Sequence, residues 1–90
     1  MKHFEWDEHK RELNLEKHEI DFIDAIEVFN DHDRIECSSI RKGEERTQTI
    51  GMVHEVIILL AYTVRKDKKR IISARRASKN EREAYYEEKN

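Results

Sequence analysis

The 90-residue chain contains no proline, two glycines and one cysteine, and these shortages exclude several classes of protein. A lone cysteine, Cys37, can support neither a disulfide framework nor a cysteine-rich zinc site. The absence of proline-rich and glycine-rich stretches also means that no linker or low-complexity segment is recognisable. The length fits one domain over residues 1–90 and leaves no room for a second.

Long apolar runs are missing as well. The longest, residues 56–62, is far shorter than the roughly 18 residues that a membrane-spanning helix needs. Three acidic residues, Glu5, Asp7 and Glu8, interrupt the N-terminus, which therefore does not have the pattern of a signal peptide. We expect a cytoplasmic protein without a membrane partner.

Charge is abundant, at 42% of the residues, and it is unevenly distributed. Residues 1–36 carry twelve acidic and five basic side chains, whereas residues 37–90 carry eight acidic and thirteen basic ones. The steepest segment is residues 65–82, with nine Lys or Arg against two acidic residues, a net charge of +7. Such a basic segment favours a polyanion such as RNA as partner, although a solvated surface of mixed charge is the alternative.

The first third of the sequence has helical periodicity. Asp7 can cap a helix that ends near His18. Asp21 can cap a second helix, whose apolar residues form one stripe facing a core: Phe22, Ala25, Ile26 and Phe29. Near the C-terminus, Ser78 and Glu81 have the spacing of a capping box and predict a last helix that ends near Glu88.

From about Arg34 the period changes to two, which indicates strands. Four such segments follow one another: residues 35–38, 45–52, 56–64 and 70–75. A polar loop is predicted at residues 39–43 and a charged turn at residues 65–69, while residues 4–6 are either a short strand or an anchoring lead-in. The expected fold is therefore α+β, with two N-terminal helices, a four-stranded and mainly antiparallel sheet, and one C-terminal helix.

One side chain of the last strand is a candidate for binding phosphate. Because side chains alternate along a strand, we expect Ile72 and Ala74 to pack on the helices and Arg75 to project from the opposite, open face. A guanidinium there offers five donors in a fork that suits a phosphate. The alternative is an ion pair between Arg75 and a carboxylate from the acidic N-terminal half.

Three short motifs are distinctive in combination: Phe4-Glu5-Trp6-Asp7, Lys17-His18, and the Ile-Ile-Ser-Ala-Arg run at residues 71–75. Further matching positions lie between and beyond them: Lys10, Asn14, Phe22, Ala25, Val28-Phe29, Glu45-Arg46, Ile50-Gly51, Tyr62-Thr63, Arg70, Arg76-Ala77, Glu81-Arg82 and Tyr85. Together they resemble the BrnT family of type II toxins, distant relatives of the RelE/ParE toxins. Two glycines common in that family are absent here, one replaced by Glu19 and one missing from the turn at residues 66–69.

The resemblance implies a RelE/ParE-like fold and a small toxin that acts as a hydrolase on RNA, inhibits translation and arrests growth. It also implies a cognate BrnA-like ribbon-helix-helix antitoxin that neutralises the toxin. Operator DNA would be bound only through that antitoxin. No cofactor and no metal are expected, and the scattered histidines have no spacing typical of a metal site.

Metal-independent RNA cleavage uses the 2′-hydroxyl as nucleophile and needs a base, an acid and cations around the phosphate. The candidates in the motifs are Arg75 and Arg46 for the phosphate, and His18, Glu45 and Tyr62 for proton transfer. Six further cations are candidates for binding RNA: Lys17, Arg65, Arg70, Arg76, Lys79 and Arg82.

Each of these residue types also has a structural interpretation. His18 can be a cation at a helix C-terminus, Glu45 and Arg46 can form a cross-strand ion pair, and Tyr62 and Tyr85 can simply pack. At the level of function, two alternatives stay open. One is a non-catalytic module that binds nucleic acid or protein, and the other is a ParE-like inhibitor of a DNA enzyme.

Overall fold

A computed structural model describes residues 3–89 of the chain. The elements follow in this order: β1 (Phe4–Glu5), α1 (Glu8–His18), α2 (Phe22–Ala25), a 3₁₀ helix (Ile26–Asn30), β2 (Ile35–Arg41), β3 (Glu44–Val53), β4 (Val56–Arg65), β5 (Lys68–Arg76) and α3 (Lys79–Lys89). The predicted α+β class is confirmed and three helical segments occur as predicted, but a short strand, β1, precedes α1.

The strands form one sheet in the order β1-β5-β4-β3-β2. β2 to β5 are an antiparallel meander, as predicted, and β4 lies at its centre. The predicted number of four strands is wrong, because Phe4 and Glu5 pair in parallel with Lys69 and Arg70 and add a fifth. A two-residue strand is too short to show an alternating pattern, so the sequence did not distinguish it from a lead-in segment.

The predicted loop at residues 39–43 is also wrong. β2 continues to Arg41, and the turn consists of Lys42 and Gly43 alone. The polar residues that suggested a loop are exposed side chains on an edge strand. Ser39, for example, pairs with Arg46 across the ladder, and Arg41 pairs with Glu44. Likewise β5 begins at Lys68, so the charged turn is shorter than predicted.

The predicted helix caps are confirmed. The Asp7 carboxylate accepts hydrogen bonds from the backbone N–H groups of His9 and Lys10, at 2.8 and 3.2 Å. Asp21 caps α2 by accepting from the N–H of Ile23 at 3.0 Å. The second predicted helix is α-helical only to Ala25 and continues as a 3₁₀ helix.

The main core lies between one sheet face and the segment formed by α2 and the 3₁₀ helix; we call this face the helix-covered face. Its buried residues include Phe22, Ala25, Ile26, Val28, Ile58, Leu60, Tyr62, Ile71 and Ala74. Ala74 packs here as predicted, but the placement of Ile72 in the core is wrong. β5 has a bulge, since Ala61 pairs with Ser73 and Tyr62 pairs with Ile71, and Ile72 is left without a partner. The bulge brings Ile71 and Ala74 to the same face.

The opposite sheet face, which we call the open face, is covered at one end by α3. Ile57, Ala77 and Tyr85 are buried there, with Ile50 and Met52 packed against them. The capping box that predicted α3 is present: the Glu81 carboxylate accepts from the Ser78 N–H at 2.8 Å, and the Glu81 N–H donates to Ser78 Oγ at 3.2 Å. Among residues 3–89, none of the helices has the length and apolar character needed to cross a membrane.

Candidate nucleic-acid interface

The part of the open face beyond α3 presents two arginines on either side of smaller side chains. Residues opposite each other in an antiparallel ladder share a face, so the pairing places Arg46, Ala61, Ser73 and Arg75 together on the open face. Arg46 and Arg75 are two strands apart and offset by four residues, which puts their Cα atoms roughly 16 Å from each other. The strand pairing therefore brings two of the predicted site residues to one surface.

Arg75 is held by a carboxylate, but not by one from the N-terminal half. Its Nη1 and Nη2 atoms donate to the two Glu81 carboxylate oxygens at 2.8 and 2.9 Å, and Nη1 also donates to the Arg76 carbonyl at 3.1 Å. The guanidinium lowers the pKa of Glu81 to about 2 and, in turn, its own pKa is raised. The two groups are thus both charged at neutral pH and fix the orientation of the guanidinium.

This pair leaves one edge of the Arg75 fork available. Glu81 occupies the edge formed by Nη1 and Nη2, whereas Nε–H has no hydrogen-bond partner within residues 3–89. A guanidinium can bind an oxyanion in a bidentate manner through its Nε–Nη2 edge as well. Arg75 is consequently both oriented by Glu81 and able to bind a second anion.

Arg46 has no such partner. Its Nε is buried from solvent and makes no hydrogen bond to any residue that the structure describes. Neither Glu45 nor Arg46 forms a cross-strand ion pair with any residue that the structure describes, and Glu45 lies on the helix-covered face. An unsatisfied buried donor is costly, which makes Arg46 a strong candidate for binding an anion.

The other predicted RNA-binding residues are not gathered in one place. Arg65 and Arg70 lie on the open face and pair with Glu44 at 3.2 Å and Glu5 at 3.0 Å. Arg76 lies on the helix-covered face beside Asp21 and Asp24. The remaining three are on helices: Lys17 in α1, and Lys79 and Arg82 in α3. The basic segment at residues 65–82 is therefore divided between two faces of the sheet.

His18 lies at the C-terminal end of α1, beside the outer edge of β5. It is half-buried in a shallow depression of about 280 Å³, where its neighbours include Lys10, Lys17 and Ile72. Two lysines line the same depression, and their charge suits an anionic substrate. His18 does not share a cavity with Arg46 or Arg75.

Asn14 fixes α1, and with it His18, against the sheet. Its amide nitrogen donates to the carbonyls of Ala74 and Ile20 at 2.8 and 2.9 Å, and its amide oxygen accepts from the Ala74 N–H at 3.1 Å. The side chain thereby occupies the edge of β5 beyond the end of β1, as a neighbouring strand would. The sequence pattern predicts no role for Asn14 beyond its place in a motif, and its only signal is a polar residue on the inner side of a helix.

Tyr62 and Glu45 lie on the helix-covered face, away from Arg46 and Arg75. Tyr62 is 6% exposed, its ring packs edge-on against Phe29 with 5.4 Å between centroids, and its hydroxyl donates to Glu36 at 3.4 Å. Burial and the nearby Glu36 charge both raise the pKa of Tyr62. Tyr85 is also buried and donates to Asp31 at 2.7 Å, so both tyrosines have the packing roles that the sequence left open.

The antiparallel topology places the hairpin turns at two ends of the sheet. The turns at Lys42–Gly43 and Lys66–Asp67 lie at one end of the sheet with many of the lysines and arginines, and the turn at His54–Glu55 lies at the other. A depression of about 360 Å³ at this second end is lined by four carboxylates: Glu27, Asp31, Asp33 and Glu55. In the described range, no group of three or more His, Cys, Asp or Glu side chains is arranged to hold a metal ion.

Comparison with known proteins identifies a family. Residues 6–81 match the family model described as "Ribonuclease toxin, BrnT, of type II toxin-antitoxin system". The matched range contains Arg46, Arg75 and Glu81. No curated protein matches the chain.

Proposed function

Because the chain belongs to the BrnT family of ribonuclease toxins of type II toxin–antitoxin systems, we propose that it is an endoribonuclease that binds RNA on the open face. The observation that carries this proposal is the pair of arginines there, one with an unused edge of its fork and the other with a buried, unpaired donor. Cleavage of messenger RNA by such an enzyme would inhibit translation and growth.

In the proposed mechanism, the 2′-hydroxyl of the RNA attacks the adjacent phosphorus, and the 5′-oxygen of the next nucleotide leaves. The products are a 2′,3′-cyclic phosphate and a 5′-hydroxyl, with one proton removed by a base and one supplied by an acid. Arg75 contacts the scissile phosphate through its Nε–Nη2 edge and stabilises the charge that develops there. Arg46, some distance along the same face, contacts a neighbouring phosphate.

Proton transfer is the second requirement of this mechanism. We assign it to His18, whose depression borders the β5 strand that carries Arg75. Glu45 and Tyr62, the other two candidates from the sequence, would need an RNA that reaches around the sheet to its helix-covered face. Lys17 lies beside His18 and would contribute electrostatic attraction for the substrate.

The activity is tested by incubating the purified toxin with mixed RNA in the presence and absence of EDTA, followed by a denaturing gel. Equal cleavage in both samples supports a metal-independent endoribonuclease. RNA that is bound but not cut would support the non-catalytic binding module instead. Inhibition of a DNA enzyme without RNA cleavage would support the ParE-like alternative.

The family also implies an antitoxin as partner. We propose that it is a BrnA-like ribbon-helix-helix protein that covers the basic end of the toxin with acidic or apolar segments, and that operator DNA is bound only through it. Charge complementarity would make association fast. Co-expression with the neighbouring gene followed by pull-down tests this, and a toxin recovered without that gene product would contradict it.

A further inference from the structure

A second cationic site lies at the tip of the β2–β3 hairpin. Three side chains line a depression of about 220 Å³ there: Arg41, Lys42 and Arg46. All three are basic, and nothing in the BrnT-like motifs identifies Arg41 or Lys42. A depression lined only by cations attracts anions from solution, and a multiply charged anion would be attracted most strongly.

The carboxylates of the same hairpin do not neutralise this site. Glu44 is opposite Arg41 in the ladder, but its carboxylate accepts a hydrogen bond from Arg65 at 3.2 Å. Glu45 points to the helix-covered face. The cations of the depression are therefore not compensated by the nearest acids in sequence.

The unpaired donor of Arg46 is the second observation. Its Nε is shielded from solvent and hydrogen-bonded to none of the residues between 3 and 89. Native proteins rarely leave such a donor unsatisfied unless a ligand completes the site. An anionic ligand within the depression would satisfy Arg46 and neutralise Arg41 and Lys42 at once.

We propose that Arg41, Lys42 and Arg46 form a phosphate-binding subsite, which holds a backbone phosphate of single-stranded RNA away from the scissile bond. The proposal rests on the proposed function, and it extends the RNA path along the open face from Arg75 to the tip of the β2–β3 hairpin. The charged donors of the subsite suit a backbone phosphate, a contact that fixes the position of the strand. The subsite would increase affinity and fix the register of the strand.

The test measures binding of a fluorescein-labelled 2′-O-methyl RNA, which cannot be cleaved because its 2′-oxygen is blocked. The variant is Arg41→Gln/Lys42→Gln, which spares Arg46 and the buried core. The matched control is Lys66→Gln/Lys68→Gln, which removes two charges from the neighbouring hairpin at the same end of the sheet. Affinity is measured by fluorescence anisotropy at several salt concentrations, with thermal unfolding to verify that each variant is folded.

We expect the Arg41→Gln/Lys42→Gln variant to bind about tenfold more weakly, since hydrogen bonds to charged groups are lost. The slope of log K against log salt should become shallower by about 0.7, the value for one phosphate of a single strand. The control should lose clearly less affinity. Equal losses of RNA affinity in the two variants would show that these residues act only through general electrostatic attraction, and would overturn the proposal.

Two further outcomes separate this proposal from the proposed function. Wild-type toxin that binds the RNA in the predicted manner but cleaves no RNA refutes the endoribonuclease and leaves the subsite standing. Variant toxin that binds RNA like wild type refutes the subsite, whatever the wild-type cleavage rate. If that same variant binds the purified antitoxin more weakly, the depression instead holds an acidic segment of the antitoxin.

Discussion

Glu19 ends α1 in the left-handed conformation, with a φ of 60°, and its N–H donates to the Leu15 carbonyl at 2.9 Å. The resemblance to the BrnT family implies a glycine at this position, and the conformation explains why glycine suits it. Asp67, in the turn that also lacks a family glycine, has a φ of 68°. At both positions, therefore, a residue other than glycine adopts a backbone conformation that favours glycine.

Glu19→Gly should stabilise the protein. Relief of the left-handed conformation gains about 1 kcal/mol, and the greater freedom of glycine in the unfolded chain offsets part of it. The expected net gain is about 0.5 kcal/mol, or roughly 2–4 °C in the melting temperature. Glu16→Gly, at an exposed interior position of the same helix, should instead lose about 1 kcal/mol. Similar losses in both variants would contradict this account.

Glu81 links the start of α3 to Arg75, and this link should depend on pH. The Arg75 guanidinium lowers the pKa of Glu81 in the folded state to about 2, from its ordinary value of 4.5. A carboxylate with a depressed folded-state pKa contributes stability that is present above about pH 4.5 and is lost as the pH falls towards 2. Glu81→Gln keeps the capping geometry but cannot titrate.

The difference in melting temperature between wild type and Glu81→Gln should therefore be largest at neutral pH. It should remain constant down to about pH 5 and shrink as the pH is lowered from 4.5 to 2.5. Thermal unfolding monitored by circular dichroism across this range measures it. A difference that is independent of pH would show that the ion pair with Arg75 does not stabilise the fold.

His18 has a functional and a structural interpretation, which one variant separates. If His18 transfers a proton, His18→Ala should lower the cleavage rate by about 10²-fold and remove one limb of the pH–rate profile, with the melting temperature unchanged. A lower melting temperature with normal activity per folded molecule would instead identify a helix-terminal structural residue.

At the scale of elements, the contact of α1 with the edge of β5 determines where the site residues lie. β1 pairs with β5 only at Lys69 and Arg70. Further along the same edge of β5, the Asn14 side chain forms hydrogen bonds with the backbone of Ala74. Between these contacts, the bulge at Ile72 changes which residues face the core. The face of Arg75 was predicted correctly although Ile72 was not, because the residues after the bulge keep the predicted alternation.

Asn14→Ala should be strongly destabilising. It leaves the buried N–H and C=O of Ala74 without partners, and each such group costs about 1–3 kcal/mol. We expect a loss of about 2–4 kcal/mol, measured by urea unfolding. Glu12→Ala, an exposed change on the same helix, should stay within about 0.5 kcal/mol of wild type. A loss no larger than that of the control would refute the role of Asn14.

Local sequence patterns predict some features of these elements and miss others. The caps at Asp7, Asp21 and Ser78 act over three or four residues and were predicted from sequence. The β1–β5 pairing joins residues about 65 positions apart, and no local pattern encodes it. The bulge also escaped prediction, since Ile71 and Ile72 are adjacent and equally apolar, and only the pairing with β4 determines which one is buried.

At the scale of the whole molecule, the uneven distribution of charge along the sequence also produces an uneven distribution on the surface. The acidic and basic parts of the sequence do not, however, form two separate halves of the molecule. The meander places the two lysine-containing turns at one end and the acidic depression at the other. Within the basic segment, Arg75 and Arg76 point to opposite faces, so net charge per segment overestimates the surface available to RNA. The sequence does not predict the Arg75–Glu81 pair, because the spacing of Ser78 and Glu81 indicates only a capping role for Glu81.

The central claim is that Arg75 contacts the scissile phosphate of RNA on the open face. The most direct test compares single-turnover RNA cleavage by wild type, Arg75→Lys and Arg75→Ala, with Lys89→Ala at the acidic end as a control for charge. The account predicts a loss of roughly 10²–10³-fold for Arg75→Ala, partial activity for Arg75→Lys, wild-type activity for Lys89→Ala, and cooperative unfolding of all four proteins. A folded Arg75→Ala protein that cleaves RNA at the wild-type rate would contradict it.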